Sequence, residues 1–168
     1  MQLTDAQRQL AQTLGLMAFD VDGVMTDGRL YYTAEGEKTK VFNSQDGHGL
    51  KQLARSGVTL AIITGRKSPM VAKRAADLGI EHVIQGREDK GAALAELAAQ
   101  LGLTASQCGY MGDDEPDVSA LRWAGLAFSV ADGHHSAQQA AAHVTQRSGG
   151  QGAVREVCDC LLVARGLA

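Results

Sequence analysis

The sequence predicts an α/β protein in which helices cover both faces of a doubly wound, parallel, Rossmann-like sheet. Short apolar runs alternate with helix-like segments along nearly the whole chain, and such alternation is typical of parallel sheets built from βαβ units. The run 58–63 is apolar except for Thr59, which is the pattern of a strand buried on both faces. Several runs end in glycine or aspartate, which indicates loops at the carboxyl ends of the strands.

The individual elements follow from caps, apolar runs and glycines that end helices. Thr4 and Gln7 form a capping box that starts a helix reaching to about Leu14. Ser68 and Pro69 are typical of a helix start, with the serine as cap and the proline in the first turn. Strands are predicted at 16–19, 29–33, 38–43, 58–63, 82–85, 108–111, 126–130 and 143–145, and the later helices at 46–57 (capped by Asp46), 69–79, 89–101, 115–123, 136–142 and 152–165.

The runs 29–33 and 38–43 flank the segment 34–37 and predict a β-hairpin, at about 29–43, that protrudes from the sheet. Tyr31, Tyr32 and Phe42 place three of the chain's seven aromatic residues on it. An isolated hairpin is only marginally stable, so we expect this one to pack on copies of itself. The alternative is that its rings pack on their own domain.

Length and composition indicate a single domain over residues 1–168. The formal net charge of −3 argues against a partner such as nucleic acid or a membrane surface. No apolar run approaches the roughly 18 residues of a membrane helix, and we expect a cytoplasmic protein. The three cysteines are interpreted as free structural thiols rather than as a zinc site or a disulfide framework.

Two aspartates follow the first predicted strand directly. Asp20 and Asp22 come after the run 16–19 and precede Gly23, so they lie where ligands bind to open α/β sheets. Carboxylates this close repel each other unless a divalent cation or a shared proton holds them together. The alternative from these residues alone is a loop with solvated aspartates.

Polar residues also follow three later strands, on the same expected edge of the sheet. They are Thr64-Gly65-Arg66, then Lys90, and finally the acidic group Asp113, Asp114 and Asp117. A hydroxyl, a cation and further carboxylates facing an aspartate pair suit phosphoryl transfer, because positive charge must offset the repulsion between a phosphate dianion and an attacking carboxylate. Taken singly, Thr64 could belong to a plain turn and Lys90 could be solvated.

In this order, Asp-x-Asp-Gly, Thr-Gly-Arg, Lys and Gly-Asp-Asp resemble the four motifs of the haloacid dehalogenase-like phosphohydrolases. The resemblance implies that Asp20 is the nucleophile, which forms an aspartyl-phosphate, and that Asp22 is the general acid and then the general base. It implies that Thr64 and Lys90 hold the phosphoryl oxygens. It also implies an Mg²⁺ site formed by Asp20, Asp22 through its backbone carbonyl, and Asp113, supported by Asp114 and Asp117.

The segments between these motifs are too short to contain a cap domain. A hairpin and a helix already fill the segment from Asp22 to Thr64, and one helix and one strand fill that from Thr64 to Lys90, whereas a separate domain needs about 50 residues or more. The expected site is therefore open to water, and a neighbouring subunit is the expected source of closure.

Three segments, 42–47, 62–66 and 148–159, closely resemble the 3-deoxy-D-manno-octulosonate 8-phosphate phosphatases. That family is implied to be homotetrameric and Mg²⁺-dependent and to serve lipopolysaccharide synthesis. The implied substrate contacts are Asp22, Asn43, Asp46, Gly47, Lys51, Gly65, Arg66, Arg74 and Lys90. Lys51 stands where the family often has arginine and His48 where it often has tyrosine; the roles of His48, His134 and His135 stay open.

Three other functions compete with this interpretation. A phosphatase for a related nine-carbon sugar acid phosphate is the nearest. A phosphoacceptor signalling domain also combines aspartates, a threonine and a lysine, but there the acidic pair comes early in the chain, whereas Asp113 and Asp114 come late. An inactive scaffold would be expected to have lost at least one of the motif residues, and none is lost.

Overall fold

The computed structural model describes residues 2–167. In chain order, the strands are β1 (Leu16–Phe19), β2 (Tyr31–Thr33), β3 (Gly36–Thr39), β4 (Thr59–Thr64), β5 (His82–Gln85), β6 (Cys108–Gly112), β7 (Leu126–Ser129) and β8 (His143–Val144). The helices are α1 (Asp5–Gln12), α2 (Ser44–Arg55), α3 (Pro69–Leu78), α4 (Lys90–Gln100), α5 (Val118–Trp123), α6 (His135–Ala140) and α7 (Ala153–Ala164), with 3₁₀ turns at Ala105–Gln107 and Glu115–Asp117.

Six strands form a parallel sheet in the order β5–β4–β1–β6–β7–β8. The chain extends the sheet from β1 first to one side and then to the other, which confirms the doubly wound prediction. Phe19 at the end of β1 pairs with Ile62 and Met111. The carboxyl ends of β1, β4 and β6 therefore meet at the topological switch point, where such folds bind ligands.

Apolar side chains fill the space between the sheet and each helical layer. Met17 and Phe19 pack with α1, α2, α3 and α7, whereas Leu16 and Ala18 point to α4, α5 and α6. This alternation follows from the two-residue period of a strand. Fully burying a side chain such as Phe19 or Leu16 stabilises the fold by about 1.5–3 kcal/mol, so β1 anchors both layers.

The hairpin exists as a separate two-stranded sheet, but its predicted boundaries were wrong. Its second strand is β3, at Gly36–Thr39, instead of 38–43, and its turn is shorter than the predicted 34–37. The turn closes tightly because the Thr33 hydroxyl donates to the carbonyl of Gly36 at 3.3 Å and accepts from the amide of Glu35 at 3.2 Å.

Helix caps differ from the predictions in two places. The capping box of Thr4 and Gln7 is confirmed. The start of α2 was predicted wrongly, because Asn43 and not Asp46 caps it, accepting from the amide of Gln45 at 2.8 Å. Ser68 precedes α3, but its side chain makes no capping hydrogen bond.

Across residues 2–167 no helix has both the length and the apolar character that crossing a membrane requires. Cys108, Cys158 and Cys160 are all free, as expected from their spacing.

Candidate active site

A cavity of about 290 Å³ lies beyond the carboxyl ends of β1, β4 and β6. Its walls include the residues that the motifs single out, namely Asp20, Asp22, Thr64, Gly65, Arg66, Lys90, Asp113, Asp114 and Asp117. The fold thus brings together residues from four separate strand ends. A larger cavity, of about 420 Å³, lies beside α7 and is lined by Arg8, Arg155 and Cys160 among others, but it contains none of the predicted site residues.

Lys90 is the buried cation of this cavity. Its ammonium lies 3.0 Å from Asp20 Oδ1 and donates to Asp117 Oδ1 at 2.7 Å. Burial alone would lower the pKa of Lys90, but the charges of Asp20 and Asp117 outweigh it and raise that pKa above the usual value. Lys90 is therefore charged and directed at the end of β1, although it begins a helix, where a cation is unfavourable.

Asp117 organises the loop after β6. Its Oδ1 also accepts from the Tyr110 hydroxyl at 2.7 Å, and its Oδ2 accepts from the amides of Asp113 and Asp114 at 2.9 and 3.1 Å. With Lys90 as the fourth donor, both oxygens of this fully buried carboxylate are already engaged. These contacts suit a supporting role. The side chain of Asp114 is exposed and accepts from the amide of Glu115 at 2.7 Å.

The acidic residues of the cavity fit a divalent cation. Oxygens of Asp20, Asp113 and Asp117 all lie within 4.8 Å of one another. Asp113 Oδ1 is buried and accepts no hydrogen bond, and carboxylate oxygens of this kind are the ligands that Mg²⁺ prefers. Lys40 donates to Asp22 Oδ1, and the role of the Asp22 backbone carbonyl as a ligand stays a prediction from the sequence resemblance.

The carboxylates of Asp20 and Asp113 are hard to ionise without a cation. Burial, followed by the charge of Asp117, raises the pKa of Asp20 to about 7. Burial, followed by the charge of Asp20, raises the pKa of Asp113 to about 8. Lys90 opposes both shifts, but one ammonium cannot balance three neighbouring carboxylates.

Lys40 and Glu37 are residues that the motifs did not identify. Lys40, just after β3, donates to Asp22 Oδ1, and its ammonium lies 2.9 Å from Glu37 Oε1. Arg66 Nη2 in turn donates to Glu37 Oε2 at 3.2 Å. Because the hairpin brings these charges to Asp22 and Arg66 through tertiary folding, no local pattern in the sequence signals them.

The structure gives two of the predicted substrate-binding residues a structural role. Asn43 caps α2, and its Nδ2 donates to the carbonyl of Gly150 at 3.2 Å. Asp46 is buried, and its Oδ1 accepts from the amide of Arg155 at 2.8 Å in the first turn of α7. Burial raises the pKa of Asp46. As substrate contacts both residues stay predictions.

The remaining predicted contacts lie on the side of α2 and α3. Arg74 packs over the ring of Phe42, 5.6 Å from its centroid, and donates to the carbonyl of Asn43 at 3.3 Å. A Cβ at Gly47 would lie 2.4 Å from Arg74 Nη2, so the glycine makes room for this guanidinium. Lys51 lines a different cavity, with Arg55. The structure does not bring Lys51, Gly47 or Arg74 into the wall of the 290 Å³ cavity.

His134 and His135 lie where the loop after β7 leads into α6. His134 Nδ1 lies 2.8 Å from the hydroxyl of Ser136 and caps α6. His134 and His135 rings are 4.2 Å apart, centroid to centroid, and neither lines the 290 Å³ cavity.

Fold and site together define a hydrolase of the haloacid dehalogenase-like class, and residues 82–157 match the family model described as haloacid dehalogenase-like hydrolase. The 3-deoxy-D-manno-octulosonate 8-phosphate phosphatase KdsC of Yersinia pestis is 45% identical over 157 residues, which are 94% of this chain and 84% of that protein. The relative of the same name from Escherichia coli K12 is 43% identical over 156 residues, covering 93% and 83%. The chain belongs to the 3-deoxy-D-manno-octulosonate 8-phosphate phosphatase family.

Solved structures support the same family membership. The Moraxella catarrhalis 3-deoxy-D-manno-octulosonate 8-phosphate phosphatase, in complex with a magnesium ion, a phosphate ion and a KDO molecule, superimposes with a TM-score of 0.94 at 47% identity over 98% of this chain and 94% of that one. The cobalt-bound enzyme of Haemophilus influenzae gives a TM-score of 0.91 at 41% identity over 94% and 92%. This chain therefore shares the capless architecture of these phosphatases.

Proposed function

We propose that this protein is an Mg²⁺-dependent phosphomonoesterase that hydrolyses 3-deoxy-D-manno-octulosonate 8-phosphate to the free sugar acid and phosphate, a step in lipopolysaccharide precursor synthesis. The observation that carries the proposal is the cavity in which Asp20, Asp113 and Lys90 converge at the switch point of the sheet. The relatives named above, at 43–45% identity, favour the eight-carbon substrate over a nine-carbon one.

The residues of the cavity have the roles that such a hydrolysis needs. Asp20 attacks phosphorus and forms an aspartyl-phosphate, and the ester oxygen leaves with a proton from Asp22. Asp22 then removes a proton from water, which attacks the aspartyl-phosphate, releases phosphate and restores Asp20. Thr64 and Lys90 hold the phosphoryl oxygens, and bound Mg²⁺ supplies positive charge against the repulsion between the ester and Asp20.

The substitution Asp20→Asn tests the nucleophile. Phosphate release from 3-deoxy-D-manno-octulosonate 8-phosphate should fall by at least about 10³-fold, because an amide oxygen cannot form the covalent intermediate. The same chemical change at Asp5, which is exposed on α1, is the matched control and should leave turnover unchanged. Turnover retained by Asp20→Asn would contradict the assignment.

Parallel assays with a nine-carbon sugar acid phosphate would identify the preferred substrate.

We infer that the active form is a homotetramer in which a neighbouring subunit completes each site. Leu30, Tyr31, Tyr32 and Val41 expose apolar side chains on or next to the hairpin, and a capless site leaves its cavity open to water. Burial of this patch against other copies of the chain would stabilise the hairpin. We also infer a cytoplasmic location, which the three free thiols support.

A further inference from the structure

Helix α7 has no capping side chain of its own. It begins at Ala153 after Gly152, which has no side chain and whose φ of 99° is the left-handed conformation that favours glycine. The first amides of a helix have no partner within that helix. In α7 the amide of Arg155, in the first turn, donates to Asp46 Oδ1 at 2.8 Å. A carboxylate from α2 thus does for α7 what a capping residue does within a single helix.

The start of α2 also holds the loop 148–152, which leads into α7. Asn43 Nδ2 donates to the carbonyl of Gly150 at 3.2 Å, and the amide of Gly150 donates to the carbonyl of Val24 at 3.0 Å. The loop is therefore clamped between α2 and the loop after β1, which follows the proposed nucleophile. Because α7 continues directly from the clamped loop, the contact of Asp46 with α7 fixes the far end of that loop.

Asp46 itself is not accessible to a substrate. Only 2% of its surface is exposed, it does not line the 290 Å³ cavity, and contacts between copies of the chain would only bury it further. We propose that Asp46 is a positioning residue, which holds the start of α7 and, through the loop 148–152, keeps Asp20 and the loop after it in place for attack on phosphorus. This inference rests on the proposed function, since Asp20 is the nucleophile of that hydrolysis.

The substitutions Asp46→Ala and Asp46→Asn test this role. Alanine removes the acceptor, and kcat should fall by about 100-fold, the loss expected when a reacting group moves by about 1 Å. Asparagine keeps Oδ1 as an acceptor for the amide of Arg155, so it should restore at least about tenfold of that loss.

Two substrates separate positioning from contact with the sugar acid. The fall in kcat should be equal for 3-deoxy-D-manno-octulosonate 8-phosphate and for p-nitrophenyl phosphate, which lacks the sugar acid, and KM should change little for either. A direct contact between Asp46 and the sugar acid would instead lower kcat/KM for the first substrate alone, and asparagine would not restore a contact that needs the negative charge. Either of these results would overturn the proposal.

Hydrogen exchange followed by mass spectrometry separates positioning from a general loss of stability, and it needs no turnover. In Asp46→Ala, peptides that contain residues 20–26 and 148–155 should exchange faster than in the wild type. Peptides from α4, which packs on the other face of the sheet, should exchange at the same rate. Faster exchange throughout the molecule, or no change at 20–26, would contradict the proposed role.

Asp159→Asn is the matched control, because Asp159 accepts from Nε of the same arginine at 2.7 Å and is about half exposed. It should change neither kcat nor hydrogen exchange. Adding Gly149→Ala to Asp46→Ala should cost less than the product of the two separate losses, since both changes displace one loop. Full additivity would argue against the proposal.

Failure of the proposed function would look different. The wild-type protein would then release no phosphate from the sugar acid phosphate. The exchange pattern, and the loss on p-nitrophenyl phosphate, would still decide the role of Asp46.

Discussion

At the scale of single residues, the site is defined by a shortage of positive charge. The carboxylates of Asp20, Asp113 and Asp117 lie close together, and the ammonium of Lys90 pairs with Asp20 and Asp117. Without a metal ion, burial therefore favours protonation of Asp20 and Asp113, whose pKa values are raised to about 7 and about 8. A divalent cation reverses this preference because it binds the ionised carboxylates.

We predict that the metal-free protein loses stability as the pH rises from about 4 to about 8. Both carboxyl groups have a pKa of 3.8 as reference in the unfolded chain. The unfolded state thus releases their protons first, and the stabilisation present below pH 3.8 is lost as the pH rises through the folded pKa values. The slope can reach about 1.4 kcal/mol per pH unit for each group. Urea unfolding at a series of pH values, in the presence of a chelator, measures this slope.

Two controls accompany this measurement. Asp20→Asn and Asp113→Asn should each flatten the pH dependence, and Mg²⁺ should raise the free energy of unfolding more at pH 8 than at pH 5. Reversible loss of phosphate release in the chelator should accompany the metal-free state. A free energy of unfolding that increases with pH in the metal-free protein would contradict the assigned shifts.

The sequence was sufficient to predict the position of residues that lie at the end of a strand or at the start of the helix that follows it. Asp20, Thr64 and Lys90 follow strands or begin helices that apolar runs identify, and parallel strands bring their ends to one edge. Lys40 could not be predicted in this way. It contacts Asp22 only because the hairpin folds back over the switch point, and that contact depends on tertiary structure.

At the scale of elements, apolar strands were predicted well and polar ones poorly. The bounds of β1 are those predicted, and β4 is displaced by a single residue, because buried strands are marked by continuous hydrophobic residues. The strands of the hairpin carry polar residues on exposed faces, so their ends depend on turn contacts such as those of Thr33. Asn43 and Asp46 are both good cap residues; Asn43 caps α2, and Asp46 instead accepts from the amide of Arg155 in α7.

The loop 148–152 supports the loop after β1 by direct backbone packing. The amide of Gly150 donates to the carbonyl of Val24 at 3.0 Å. A Cβ at Gly149 would lie 1.8 Å from the carbonyl oxygen of Gly23, a distance no packing can accommodate without movement of the two loops. The glycines of this segment thus allow its backbone to pack directly on the loop after β1.

Gly149→Ala should therefore displace the loop that carries Asp20 and Asp22. We expect a loss of about 1–3 kcal/mol in the free energy of unfolding, as for other overpacked sites, together with a fall in kcat for phosphate release. The control is Ser148→Ala, one residue earlier, because serine already has a Cβ and its replacement adds no atom. It should change neither the free energy of unfolding nor kcat. Chemical denaturation and a steady-state assay measure the two effects. Normal activity in a fully stable Gly149→Ala protein would refute the packing argument.

At the scale of the whole molecule, the exposed apolar side chains are unevenly distributed. Val41 and Tyr32, next to and within the hairpin, have 53% and 64% of their surface exposed. At the other end of the chain, Val163 on α7 is also 64% exposed. Scattered exposed apolar side chains are normal on any surface, whereas a group of four on or next to a hairpin that is marginal alone points to an interface.

Val41→Glu tests the inferred assembly against Val163→Glu as a matched control. If hairpins pack together, a carboxylate at position 41 would be buried without a partner, which costs several kcal/mol per subunit. Light scattering should then show the wild-type protein and Val163→Glu at four times the 17.7 kDa of one chain, and Val41→Glu at a smaller mass. Because the neighbour is inferred to complete the site, phosphate release by Val41→Glu should fall as the assembly dissociates. A wild-type monomer with full activity would contradict both the tetramer and the shared site.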